Sequence, residues 1–394
     1  MMDAAYLKET VKRAKVIVCV GPGGVGKTSC SAAIGIHAAR QGRRVAVLTI
    51  DPARRLANAL GLPSIGNEEK DIPRSAFEKV GLEPPEGRIS AMMLDIKTAW
   101  DRVVQNYHPD PAERDKLLNN KFYRSLSTSL AGSQEYMAME KLYELVHRKE
   151  DPLDLVVLDT PPAASAVDFL DAPSKMLGAL DNDATRWVLS SSGSGRGIGK
   201  LVGMSTSLFS RTIGKFTGTE VLDELSVMLQ GFSGMYEGFR ERARAVSQIL
   251  GDPRTIFLVV SAPKLGPLRD AEQFARNLMS RDLTIGAFLL NRATYDPFSK
   301  SDSMPDPDKL RTKVQDLGGS VHLVSLLERE AAFRQSQAKK EEELVERLSR
   351  SFSGLQTSLV PEFPGDIHDL IGLNLMENQL FFPSRNSKLS SMRS

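Results

Sequence analysis

The sequence predicts an α/β protein with a doubly wound, mostly parallel sheet and a helical subdomain inserted into it. Three observations carry that prediction. Short β-branched or apolar runs alternate with longer helical patterns, as expected of strands buried on both faces and connected through helices. The first run ends in a glycine-rich loop, Gly21-Pro22-Gly23-Gly24-Val25-Gly26-Lys27-Thr28, which opens directly into a helical pattern. The strand-like runs also lie near both ends of the chain, with a long helical interruption between them.

In chain order, the clearest strand candidates of the first half are Val16 to Val20, Val45 to Ile50 and Leu153 to Leu158. Ile256 to Val260, Ile285 to Leu290 and Val321 to Val324 continue the series, and Arg88 to Leu94 is a less regular strand interrupted by methionines. Ser29 to Arg40 reads as a helix stopped by Gln41-Gly42. Ala99 to Arg148 reads as helical, broken at Pro109 and Pro111. A second helical block runs from about Ala172 to Leu250. Within it, Arg186 to Thr219 holds five basic residues, no acidic one, seven glycines and seven serines, a composition of conditionally ordered chain. That stretch is either a flexible linker or a contact for anionic lipid or charges flanking a client. Val221, Leu225, Met228, Phe232, Met235 and Phe239 then recur at steps of four and three, one apolar stripe that suits either core or a partner-binding face. Glu328 to Arg350 is a densely charged helix, and Ser384 to Ser394 is a polar, basic tail.

Composition narrows the function. The 394 residues carry 51 Lys+Arg against 49 Asp+Glu, and a net charge of +2 gives no electrostatic reason to expect nucleic acid. Two cysteines, Cys19 and Cys30, rule out a disulfide scaffold and fit a reducing compartment. No long apolar window and no apolar stretch before the first strand predict a cytoplasmic protein without stable membrane insertion. The expected organisation is one domain over residues 1–383, with core 1–98, 151–171 and 251–383, helical subdomain 99–150 and 172–250, and a flexible tail 384–394.

The loop satisfies G-x-x-x-x-G-K-[ST] in the strand–loop–helix context that the motif needs. Glycines let consecutive backbone N–H groups turn toward phosphates, and the helix N-terminus adds partial positive charge. Gly21, Gly23, Gly24, Val25, Gly26, Lys27, Thr28 and Ser29 are therefore candidate nucleotide contacts, with Lys27 on the β- and γ-phosphates and Thr28 on Mg²⁺. Asp51 and Asp159 each end a strand, and parallel strands bring their carboxyl ends together beside the first loop. One acid can then orient or deprotonate the attacking water while the other supports Mg²⁺; the alternative for each, less favoured beside the loop, is a helix cap or turn aspartate. The five histidines, at 37, 108, 147, 322 and 368, have no metal-ligand spacing. Tyr136, Met137, Met139 and Tyr143 form a helical stripe expected in the core.

These residues resemble a family. The loop followed by Thr49-Ile50-Asp51-Pro52-Ala53-Arg54-Arg55-Leu56 and by Asp159-Thr160-Pro161-Pro162 is similar to the deviant Walker A ATPases of the SIMIBI type. Within them it is most similar to the arsenite-pump (ArsA) and guided-entry targeting ATPases. Leu290-Asn291-Arg292 matches the strand-end asparagine that reads adenine, and Val360-Pro361-Glu362-Phe363-Pro364 resembles the element that closes over the base. Leu94-Asp95-Ile96-Lys97 and Ala131 to Leu145, with Glu135 among them, also resemble bacterial members.

The resemblance implies an ATP- and Mg²⁺-dependent ATPase that works as a homodimer or as a heterodimer with a paralogue. Lys27 and Asp51 would be catalytic, Thr28, Asp51 and Asp159 would serve the metal, and Asn291 and Pro361 would hold the base. In targeting members a methionine-rich groove shields a tail-anchored membrane helix; Met176, Met204, Met228 and Met235 fall where such a groove would lie, though core packing explains them equally. The chain departs from the family in three places. Pro22 stands where a second loop lysine reaches across the dimer, so either Arg54 or Arg55 substitutes, or hydrolysis is slow, or a paralogous partner supplies that charge. The interfacial zinc cysteines are absent, and so are the metalloid-binding cysteines and duplicated half of the pump protein. A nucleotide-gated targeting factor is therefore favoured over the energising subunit of an anion pump. A regulatory ATPase of the MinD/ParA type fits less well, for want of a membrane-binding terminal helix.

Overall fold

Val16–Val20 (β1) lies inside an eight-stranded sheet formed with Arg44–Thr49 (β2), Lys70–Asp71 (β3), Arg88–Met93 (β4), Leu155–Asp159 (β5), Thr255–Ser261 (β6), Ile285–Ala293 (β7) and Gln356–Pro361 (β8). The computed structural model describes residues 4–50, 55–62, 65–121, 123–124, 127, 133–161, 170–175, 178, 228, 231–232, 235–294 and 307–382. The strand order is β3-β4-β2-β5-β1-β6-β7-β8, and every pairing is parallel except that of the short edge strand β3 with β4. β1, β5 and β6 are buried along their whole length, which is why they read as unbroken apolar runs rather than alternating ones.

Helices cover both faces. On one face, Ile17 and Cys19 of β1 pack with Cys30 and Ile34 of Lys27–Arg40 (α2) and with Leu373 and Phe381 at the C-terminal end of the chain. On the other, Val16, Val18 and Val20 share a core with Trp100 of Ile96–Tyr107 (α5), Met137 of Ser133–His147 (α7), Phe239 of Tyr236–Gly251 (α8) and Phe274 of Leu265–Met279 (α9). The period-two alternation of a strand thus feeds two separate cores. Ala4–Arg13 (α1), Arg55–Ala59 (α3) and Arg74–Glu78 (α4) precede or join the early strands; Pro111–Asn119 (α6) falls between α5 and α7. Pro307–Asp316 (α10), the 31-residue Val321–Ser351 (α11) and Leu370–Phe381 (α12) complete the described helices.

The structure corrects one element. Val321 to Val324, expected as a strand, is the first turn of α11. The Ser320 hydroxyl caps that turn through the Leu323 N–H, and Gly318, with φ of 78°, turns the chain just before it. Four apolar residues are too few to distinguish a strand from a helix by periodicity. β3 and β8 were not expected as strands. β3 has two residues, and β8 overlaps the Val360-Pro361 element without the long apolar run of the central strands.

The proline break after α5 is a helix start. Asp110 caps α6 by accepting the N–H groups of Ala112 and Glu113 at 2.8 and 3.3 Å, and Pro111 occupies the first helical position. Of the apolar stripe, Met228, Phe232, Met235 and Phe239 belong to the core that covers the sheet, and Phe232 and Phe239 lie 6.0 and 6.1 Å from the Trp100 ring. For Met228 and Met235, core packing replaces the groove role suggested by the resemblance. Val221, Leu225, Met176, Met204, the basic stretch Arg186 to Thr219 and the tail 384–394 lie outside the described residues.

Candidate functional site

The glycine loop joins β1 to α2, and two of its glycines are fixed by close approach. Gly21 has φ of 148°, and a Cβ on it would stand 1.9 Å from the Val260 carbonyl oxygen of β6. Gly26 has φ of 91°, and its Cβ would meet Asn291 Nδ2 at 2.3 Å. Only glycine lets the loop lie this tightly against β6 and β7. Gly26 is also the N-cap of α2, so the helix starts at Lys27 with its first N–H groups directed at the loop. The Lys27 ammonium is buried and donates to the Gly21 and Pro22 carbonyl oxygens at 3.0 and 2.8 Å, folding its charge over the loop.

Register builds the acidic side of the site. Cys19 pairs with Asp159, and Asp159 pairs with Thr49, so the carboxylate sits level with the end of β1 between two neighbouring strands. Asp159 Oδ2 accepts hydrogen bonds from Thr28 Oγ1 at 2.7 Å and Thr49 Oγ1 at 2.9 Å, and the residue is 1 % exposed. Two hydroxyls thus hold a buried carboxylate beside the first residue pair of α2. Thr160 Oγ1 donates to the Cys19 carbonyl at 2.8 Å, which fixes the chain as it leaves β5.

Asn291 closes the opposite side. Its Nδ2 donates to the Val25 carbonyl at 2.9 Å, so the strand-end amide is fastened to the loop. Arg292, next in sequence, has φ of 60°, at the irregularity in the β7–β8 pairing between Leu290 and Ala293. Pro361 joins this edge through its pairing with Ala293, where the Glu362 N–H reaches the Ala293 carbonyl at 2.9 Å. Thr294 N and Oγ1 both donate to the Glu341 carboxylate of α11, at 2.7 and 2.6 Å.

The expected residues of the loop, with Asp159 and Asn291, therefore come together around one site; Asp51 and Arg54 lie outside the described residues, as does the Arg55 side chain. Thr49 and Thr160 lie in the motifs quoted above and Gln134 in the run Ala131 to Leu145, but the sequence assigns none of them a contact of its own. Gln134, at the start of α7, donates through Nε2 to the Ile50 carbonyl at 2.9 Å. Cys19 and Cys30 are fully buried, and burial pushes the Cys19 thiol up to about 12, against a hydrogen bond with Ser31 that lowers it; the Cys30 thiol is raised by burial too.

A glycine loop of this geometry, closed by a lysine and faced by a strand-end aspartate and a strand-end asparagine, has the arrangement that a nucleotide-phosphate site needs. The family model of the anion-transporting ATPases of the ArsA type matches residues 14–315. The chain belongs to the ArsA ATPase family. This ATPase is 25 % identical over 287 residues to the ATPase GET3 of Malassezia globosa, covering 73 % of the chain and 75 % of the relative. It is 24 % identical over 285 residues to a protein of Aquifex aeolicus named as an arsenical pump-driving ATPase, covering 71 % of the chain and 63 % of that relative's length. An ATPase ASNA1 homolog of Paramecium tetraurelia is 25 % identical over 289 residues, covering 71 % of the chain and 75 % of the relative. The ATPase binds nucleotide, and among its described residues no helix is long and apolar enough to cross a membrane.

Proposed function

We propose that this ATPase is a cytoplasmic, nucleotide-gated targeting factor or chaperone for an apolar membrane-protein helix, working as a homodimer or with a paralogue. The observation that carries its ATP chemistry is the Thr28–Asp159–Thr49 cluster beside the buried Lys27. Lys27, which now bridges two loop carbonyls, is placed to exchange them for β- and γ-phosphate oxygens. Backbone N–H groups from Gly23 to Ser29 would hold the remaining phosphate charge, and Asn291 and Pro361 would border the base.

The donor set fits Mg²⁺, because Thr28 Oγ1 and Asp159 Oδ2 are hard oxygen ligands 2.7 Å apart, and an ion there would neutralise charge on the transferring phosphoryl group. Thr28 would hold it directly, with Asp159 and Asp51 in support. Asp51 would orient the attacking water. Pro22 is buried and has no side-chain donor, so any charge acting across a dimer would come from Arg54, Arg55 or a partner chain, and without one hydrolysis would be slow.

The targeting reading rests on the likeness to relatives named GET3 and on the character of the two thiols. The family name and the Aquifex aeolicus relative favour an anion-pump reading, but Cys19 and Cys30 are sealed beneath the loop and held protonated, which suits no metalloid ligand.

Lys27→Ala should abolish ATP binding measured by calorimetry, and retained tight binding would remove the phosphate-loop assignment. Asp51→Asn should leave ATP bound and lower turnover by about a hundredfold or more. Affinity isolation with and without ATP, followed by mass spectrometry, should recover proteins with a single terminal membrane helix in one nucleotide state. ATPase stimulation by arsenite without such clients would instead support the pump.

A further inference from the structure

We infer that Gln134 is a positioning residue for hydrolysis, setting the peptide plane that carries the backbone into Asp51. The Ile50 N–H is satisfied by the Asp159 carbonyl at 3.1 Å, which ties Ile50 to β5. The Ile50 carbonyl is satisfied by Gln134 Nε2 at 2.9 Å, from a different element. That carbonyl belongs to the peptide unit joining Ile50 to Asp51, and the unit is planar. Fixing the oxygen therefore fixes the plane of that peptide unit at the end of β2. Without a donor, the plane can rotate about the Ile50 ψ, and the next Cα moves with it.

Gln134 can act this way because α7 does not move freely. Tyr136, Met137, Ala138 and Met139 are all buried in the core that covers the sheet. One turn further on, the Glu140 carboxylate receives Arg242 Nε of α8 at 3.0 and 2.8 Å and the Tyr136 hydroxyl. The donor is thus mounted on a helix anchored to both the sheet and the next helix. Small displacements of a group that orients a nucleophile are strongly felt in rate and little in ground-state binding.

The inference rests on the proposed role of Asp51, and the experiment separates the two. Steady-state ATPase kinetics are measured for the full chain carrying Gln134→Met, Gln134→Glu and, in parallel, Asp51→Asn. Both Gln134 variants keep the side-chain length and lose the donor; the second serves if the first does not fold. The expected result is a fall in kcat of about ten- to a hundredfold with KM for ATP within about twofold of the unsubstituted chain. A kcat within about twofold of unsubstituted, beside an inactive Asp51→Asn, overturns the inference and leaves the Asp51 reading standing. A loss confined to KM also overturns it, because Gln134 would then serve binding. Unchanged turnover in Asp51→Asn overturns both.

Discussion

At the scale of single residues, Asp159 illustrates how position makes a carboxylate useful. Its side chain is buried at the end of β5, where two threonine hydroxyls from α2 and β2 satisfy one oxygen. A buried acid held this way is oriented before any ligand arrives, which is what an electrostatic site needs. The same burial makes the neighbouring cysteines inert. A thiol pushed up to about 12 by desolvation has almost no thiolate at neutral pH. Cys19 and Cys30 should resist a maleimide at pH 8 in the native chain and react only after denaturation. Rapid native labelling, read by mass spectrometry, would contradict the buried placement.

At the scale of elements, α7 and α8 are joined by the Glu140–Arg242 pair, with Arg242 also stacked 3.8 Å from the Tyr107 ring centroid. Burial pushes the Glu140 carboxyl up, and the Arg242 charge and the Tyr136 hydroxyl oppose that rise. Taking away the guanidinium leaves a buried acid without its counter-charge. Arg242→Met should therefore destabilise the chain by about 3–5 kcal/mol in urea unfolding. Adding Glu140→Leu should recover much of the loss, since an apolar pair of similar volume does not require desolvated charge.

These element-level facts mark how far the sequence was legible. The glycine loop, the strand ends at Asp159 and Asn291 and the core character of Met137 and Met139 followed from contiguous motifs and helical spacing. The start of α11 did not, because Val321 to Val324 satisfies strand and helix patterns alike and a serine cap decides between them. β8 leaves no apolar run in the sequence because it is an edge strand whose buried positions include the polar Thr357 and Ser358.

At the scale of the whole molecule, the phosphate-loop helix is held from the far end of the chain. α12 packs on α2, where Glu377 is buried between Arg40 and His37 at 3.0 and 3.3 Å and the Phe381 ring stacks 3.6 Å from that of His37. Leu370, Leu373, Met376, Leu380 and Phe381 enter the same core as Ile17 and Cys19. At about 1.5–3 kcal/mol for each large side chain buried, their loss matches the whole stability of an ordinary domain, about 5–15 kcal/mol. A chain ended before Leu370 should thus fail to fold cooperatively, seen as a lost thermal transition and strong binding of a hydrophobic dye. A sharp transition near that of the full chain would show that α12 is dispensable.

The sequence by itself determined the phosphate loop, the helix that follows it and the apolar runs of the central strands, because each is written in neighbouring residues whose backbone preferences and periodicity act locally. The tertiary structure alone decided that Cys19, Asp159 and Thr49 stand at one level, that Asn291 grips the Val25 carbonyl and that Gln134 reaches Ile50. Those contacts join residues scores to hundreds of positions apart in the chain. Their geometry is set by strand register and by which helix covers which face, and neither quantity leaves a local trace in the residues concerned.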